Sequence, residues 1–200
     1  MMTRSGVLVM PDNGAAPPLC DIALALARQP RFGGHTIDPW SVAEHSMVVA
    51  LIVRWRNPHA AIGSLPELHG LLHDAHESVT GDIPSTWKTD DTKRMQQALD
   101  VRIFASLGID PPSEEIRALV YRSDRAALLA EAKHLAAPGV YAAIRAGSGV
   151  DGVPQPEADA DALSAVAQIK MHNFMAETAA TYYYTWTKRL CEKWRVRVAA

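Results

Sequence analysis

Cysteine is nearly absent from this 200-residue chain: only Cys20 and Cys191 occur. Two cysteines exclude a disulfide framework and a four-cysteine zinc site, and they make a cytoplasmic location the default expectation (a host's cytoplasm, if a phage encodes the chain). Long hydrophobic runs are missing too. No stretch approaches the roughly 20 apolar residues of a membrane helix. The run GVLVMP near the start falls below the 7–15 or so residues of a signal-peptide core, so no membrane partner is expected. Neither sign of charge is in excess: 20 Lys and Arg against 22 Asp and Glu give a net charge of −2. That argues against binding polymeric nucleic acid, which takes a basic face. A nucleotide substrate stays open, because a few local cations suffice for it. Internal repeats and sustained β-alternation are also absent.

What is there is ordinary for a globular protein, 48% hydrophobic and 21% charged, and this length suits one domain, 1–200, with a proper core. Residues 7–10 read as a short strand-like piece. Asp21 opens an apolar run, DIALALARQ, as the expected cap of a short helix, and Pro30 ends it. RFGGHTIDPW follows as a loop. Ser41 with Glu44 forms a capping box ahead of a helix whose apolar side carries Val42, His45, Val49, Ile52 and Val53. Pro66 suits the first turn of the next helix, expected over 68–77. A helix is expected from about Asp90 to Leu107, ended by Gly108 and Pro111-Pro112. Ser113 caps another, closed by Pro138-Gly139. Residues 147–157 read as a Gly- and Pro-rich linker, and helical pattern resumes over 158–198, as one bent helix or two. The expected fold class is all-α: a bundle of about six to eight helices.

The stretch LHGLLHDAHESVTGDIPSTWK (68–88) carries the chemistry. On a continuous helix, His73 and Glu77 are i and i+4, and Asp74 and Glu77 are i and i+3, so they share a face. Burying an imidazole and two carboxylates among leucines is costly without a purpose, and a divalent cation supplies one. His45, His73, Asp74 and Asp124, from three separate helices, suit a first-row metal such as Mn, Co, Fe or Zn. They leave coordination positions open, as catalysis requires.

The order of these residues resembles a known family. EHS at 44–46, HDAHE at 73–77 and SD at 123–124 resemble the H…HD…D signature of the HD-domain metal-dependent phosphohydrolases. VAEHS (42–46) with LLHDAHESVTGDIPSTWK (71–88) is similar to the branch that holds bacterial 5′-deoxynucleotidases and small bacteriophage dATP triphosphohydrolases. CDIALALARQPRFGGHT (20–36) is similar to the amino-terminal part of such enzymes. The resemblance covers about residues 20–135, with the helices of 158–198 expected to pack on that core. It implies an all-α HD fold and a deoxynucleotide substrate cut at its α-phosphorus: dATP or another dNTP giving deoxynucleoside and triphosphate, or a dNMP giving phosphate. One divalent transition metal (Co, Mn, Zn or Fe) would sit on His45, His73, Asp74 and Asp124, with additional Mg or Mn on the phosphates.

Glu77 takes the place of the family's catalytic carboxylate, next to Asp74. Arg31-Phe32 stands where the family has an Arg-Trp pair that contacts phosphate and base; Phe32 can stack but has lost the indole donor. Asp82 matches the acid of the TGDxP turn near the sugar. Thr80, Pro84, Trp87 and Lys88 would line the pocket, with Lys88 near phosphate. A triphosphate needs further cations, and Arg31, His35, His76, Lys88, Lys93 and Arg94 are the suppliers in sequence. His76 reads equally as a phosphate donor or acid and as a solvated residue. His69 reads as packed or supporting rather than ligating, since no Glu follows it in an HExxH pattern. His59, His134 and His172 read as structural. Tyr182, Tyr183, Tyr184, Trp186 and Trp194 suit a core or a subunit interface, hence an expected homo-oligomer, dimer or hexamer. The cations Lys188, Arg189, Lys193, Arg195 and Arg197 read as a solvated face. A non-catalytic, nucleotide-binding HD protein is the alternative of a different class.

Overall fold

The computed structural model describes all residues except 11–13, 58–61, 148–157, 173 and 195–200. The linker proper, His59, Arg195 and Arg197 therefore lie outside the described residues. Among the rest the chain is all-helical: α1 Leu19–Arg28, α2 Val42–Trp55, α3 Leu65–Leu72, a single turn α4 Glu77–Thr80, α5 Asp90–Leu107, α6 Glu114–Leu135, α7 Val140–Arg145, α8 Ala160–Lys170 and α9 Ala176–Trp194. None of the described helices is long and apolar enough to cross a membrane.

Helix α2 is the centre. Every residue from 42 to 53 is buried, and α1, α3, α6, α8 and α9 all pack against it. A helix this apolar all round is stable only when it is surrounded. Its start is fixed locally: Ser41 Oγ accepts from the Glu44 amide, and Glu44 Oε2 accepts from the Ser41 amide at 2.8 Å. Its far end is fixed by Glu67, which Arg54 grips with two nitrogens at 2.9 and 2.8 Å. Trp186 Nε1 and the Gly63 amide also donate to Glu67, so this buried carboxylate has no unmet acceptor demand. Part of the aromatic carboxyl-terminal third is anchored in the same way, while Tyr182 and Trp194 stay exposed. Tyr183 is fully buried and donates to Leu71 O at 2.8 Å, and Trp194 Nε1 donates to Gly63 O.

Helices α2 and α3 cross closely at Gly70. A Cβ built there would lie 3.0 Å from Ala50 Cα and 3.3 Å from Ala50 N. Backbone cannot give way as a side-chain tip can, so Gly70→Ala is expected to destabilise the fold by about 1–3 kcal/mol. A depressed Tm in thermal denaturation checks it, and an unchanged Tm contradicts the close crossing.

The structure corrects three sequence expectations. The helix expected over 68–77 stops at Leu72. Through 73–78 the backbone tightens: the amides of Ala75, Glu77 and Ser78 donate to carbonyls three residues back, before α4 resumes. Asp21 does not cap α1. The helix starts two residues earlier behind Pro18, and Asp21 instead accepts from the Ser5 amide and hydroxyl. Residues 7–10 form isolated bridges rather than a strand, Met2 with Leu8 and Val9 with Gly14. Helix α7 went unforeseen, and the carboxyl-terminal pattern resolves into two helices, α8 and α9.

Candidate metal centre

Three elements converge at one end of α2. His45 sits in its first turn, His73 and Asp74 in the tight turn after α3, and Asp124 midway along α6. His45, His73 and Asp124 each offer a ligand atom within 4.8 Å of the others. His45 Nε2 lies 3.0 Å from Asp124 Oδ1, and His73 Nε2 lies 3.8 Å from it. Asp74 Oδ2 adds itself at 3.1 Å from His73 Nε2 and 3.6 Å from His45 Nε2.

The tautomers are set from behind. His45 Nδ1 faces Glu131 Oε1 at 2.8 Å, and His73 Nδ1 faces Gly70 O at 2.9 Å. Both partners accept, so in the neutral rings Nδ1 carries the hydrogen and Nε2 keeps its lone pair. Both Nε2 atoms are buried and lack an aligned hydrogen bond. An orphaned lone pair with its opposite nitrogen tied to a carboxylate or carbonyl is how a metal-bound histidine is held. The donor set of two imidazoles and two carboxylates therefore fits one divalent ion.

The electrostatics agree. Burial and Arg31 both oppose charge on His45, yet Glu131 and Asp124 hold its pKa up at about 10. Burial opposes charge on His73 too, and Asp74 and Asp124 raise its pKa nonetheless. Burial pushes Asp74 and Asp124 up, but His73 and His45 respectively bring them below the ordinary carboxylate value. The same carboxylates that favour a proton on these imidazoles would favour a cation, whose binding requires the neutral rings.

Glu77 begins α4, 2% exposed, with Oε2 unpartnered and Oε1 3.5 Å from Lys88 Nζ. Burial, Asp74 and Asp82 push its carboxyl up to about 9; a cation beside it would draw that value down. Arg31 lies 3.5 Å from Glu131 and 3.7 Å from Asp82. Its loop is pinned, since the Arg31 amide donates to Trp40 O and the Ile37 amide to Leu135 O. Phe32 follows at φ 53°, a left-handed conformation unusual for an aromatic residue, and packs against the small cluster of Leu129, Ala132 and Ile144. His76 Nδ1 faces Asp100 at 2.9 Å, and Thr80 Oγ1 takes a hydrogen bond from Gln96. The structure thus gathers Arg31, His76, Glu77, Asp82 and Lys88 through these ion pairs. His35, Pro84, Trp87, Lys93 and Arg94 are exposed, and Arg94 pairs with Asp91.

A cleft of about 530 Å³ opens between α5 and α6 with His73 and Asp124 on its wall, a volume suited to a small molecule. Phe104, Val120, Tyr121, Gln97 and Arg117 line it. None of these was singled out in sequence; nor were Glu131 and Asp100. Only Glu131 had a signal there. It follows Asp124 by seven residues, two helical turns, on the face that also carries Ala127 and Ala130.

His69 shares the cleft wall and packs edge-on against Phe104 at 5.4 Å. Neither ring nitrogen has a partner, and burial lowers its pKa to about 4. A histidine whose folded pKa is depressed by burial contributes nothing above its unfolded value of about 6.5 and costs stability as pH falls from there toward 4, by at most about 3 kcal/mol. His69→Leu is expected to flatten the fall in stability between those pH values. Equal slopes for variant and wild type in urea titrations contradict this. His172 stacks on Phe174 at 5.1 Å, and His134 is exposed on the last turn of α6.

Comparison with known proteins covers the same part of the chain. The family model described as HD domain matches residues 26–133, more than half of the chain and all four candidate ligands. The chain is also similar to the uncharacterized protein YfdR of Escherichia coli (strain K12), with 33% identity over 93 residues. The match takes in 46% of this chain and 47% of the relative, so it spans about half the length of each. From the family match across the converging histidines and aspartates, the chain belongs to the HD-domain family, whose members are typically metal-dependent phosphohydrolases.

Proposed function

We propose that the protein hydrolyses a deoxynucleotide at its α-phosphorus, with a dNTP such as dATP as substrate and deoxynucleoside and triphosphate as products. The observation that carries the reading is the pair of orphaned, buried Nε2 atoms of His45 and His73 facing Asp74 and Asp124. Those four residues would hold one divalent ion (Co, Mn, Zn or Fe). Such an ion, when bound, polarises a phosphoryl oxygen and lowers the pKa of water from 15.7 to about 7.

The protein's own groups do the rest. Glu77 removes the proton of the attacking water or returns one to the leaving oxygen. Arg31 and Lys88 meet the phosphate charge, and Glu131 and Asp82 hold Arg31 in place for it. The cleft beside His73 and Asp124 gives apolar and aromatic surface for the nucleoside. A spare donor supports a polyphosphate: Arg31 Nε is buried without a hydrogen-bond partner. Exposure of His35, Lys93 and Arg94 favours the second reading, a 5′-deoxynucleotidase acting on a dNMP, which needs fewer cations. We further propose a homo-oligomer in the cytoplasm.

The test is incubation with Co²⁺ or Mn²⁺ and either dATP or dAMP, followed by product separation. Triphosphate from dATP is expected. Phosphate from dAMP with nothing from dATP selects the nucleotidase, and no hydrolysis of either overturns the reading in favour of a non-catalytic, nucleotide-binding protein.

A further inference from the structure

Glu77, assigned above to proton transfer, has little to anchor its side chain. Its Oε2 is buried and unpartnered, and its Oε1 reaches Lys88 only at 3.5 Å. The place of the carboxylate is therefore set by the backbone beneath it. Glu77 opens α4, a single turn that follows the tight backbone of 73–76 and ends at Gly81. One helical turn is unstable alone, because it carries the whole cost of nucleation.

Its outside support is Gln29. Gln29 Nε2 donates to Glu77 O at 2.8 Å, across 48 residues of sequence. Among the described residues, the other hydrogen bonds to the backbone of 73–81 run within that segment. Gln29 is itself built into the rest of the site. Its carbonyl accepts from the Val42 amide at 3.0 Å, Pro30 bridges to Ser41, and the Arg31 amide donates to Trp40 O at 2.8 Å. These links run into the start of α2, one turn before His45. Gln29 thus joins the turn that carries Glu77, the loop that carries Arg31 and the helix that carries His45.

The side chain is a poor choice for stability alone. With Nε2 on the Glu77 carbonyl, Oε1 stays buried without a donor, and an unmet acceptor is destabilising. Methionine has nearly the same length and no such group. Glu77 O would keep its bond from the Gly81 amide at 2.8 Å in that variant, so no new orphan forms.

We propose that Gln29 is a positioning residue for Glu77: its side-chain amide clamps α4 to the Arg31 loop and so fixes where the Glu77 carboxylate stands. This rests on the hydrolase reading above and adds to it a residue outside the metal-ligand set. Nothing local in the sequence marks Gln29, because its partner lies so far along the chain.

The experiment is a double-mutant cycle. Wild type, Gln29→Met, Glu77→Gln and the double variant are assayed as full chains with Mn²⁺ and dATP or dAMP, whichever the wild type hydrolyses. Gln29→Met is expected to fold with a Tm near that of the wild type, to bind as much metal, and to lower kcat by about 10–100-fold with little change in KM. In the Glu77→Gln background the same substitution is expected to cost less than about 2-fold, since the group it acts through is gone. Equal losses in both backgrounds would make Gln29 a general structural residue and overturn the proposal. A wild-type kcat in Gln29→Met would overturn it too. Hydrogen–deuterium exchange reads the clamp without turnover: faster exchange is expected across 77–81 in Gln29→Met, with 42–55 unchanged. Unchanged exchange at 77–81 removes the clamp even where kcat falls. A wild type that hydrolyses neither nucleotide overturns the hydrolase reading, and this role with it.

Discussion

If the proposed reading holds, Glu77→Gln is expected to lower kcat on the proposed deoxynucleotide substrate by about 10²–10⁴-fold while leaving metal binding by His45, His73, Asp74 and Asp124 intact. The substitution keeps the side chain's shape and its place at the head of α4, and removes its basicity. Nothing else within the described site can replace it. Asp74 and Asp124 are committed to the histidines at 3.1 and 3.0 Å, and Asp82 faces Arg31. Glu77 alone among these acids keeps one oxygen buried and without a partner. Steady-state kinetics with metal content measured on the same preparation tests this. A kcat within a few-fold of wild type would remove Glu77 from the chemistry.

The second large effect concerns stability. Glu131 is fully buried, and its carboxylate serves three groups: Trp40 Nε1 at 3.0 Å, His45 Nδ1 at 2.8 Å and Arg31 at 3.5 Å. Burial raises its pKa, but His45 and Arg31 more than offset that and bring it below the ordinary value. Glu131→Ala leaves a buried guanidinium short of a counter-charge and an indole N–H without an acceptor, so a loss of about 3–5 kcal/mol is expected. The milder Glu131→Gln keeps the volume and is expected to weaken metal binding by about 10–100-fold, since His45 loses the carboxylate that orients it. Urea denaturation and metal titration read these separately. A Glu131→Gln variant with wild-type metal affinity would show that His45 needs no such support.

Features written in local chemistry were legible from sequence. The Ser41–Glu44 capping box, the left-handed Gly108 after α5 and the Ser113 cap of α6 stand as expected, because each depends on residues three or four apart. The regular helix expected through 73–77 is not found; there the amides of Ala75, Glu77 and Ser78 donate to carbonyls three residues back. The candidate ligands came from type and order along the chain. Their carboxylate supports did not: the His76–Asp100 contact joins residues 24 apart, and His45–Glu131 joins residues 86 apart. No periodicity encodes such pairings. Trp87, placed by resemblance, is 78% exposed.

The most direct test of the metal centre is an anomalous difference map from crystals of the protein grown with Co²⁺. A peak is expected in contact with His45 Nε2, His73 Nε2 and the carboxylates of Asp74 and Asp124, at about 2.0–2.2 Å. A Co²⁺ peak elsewhere, or His45 and Asp124 turned away from the His73–Asp74 pair with no density between them, would contradict it.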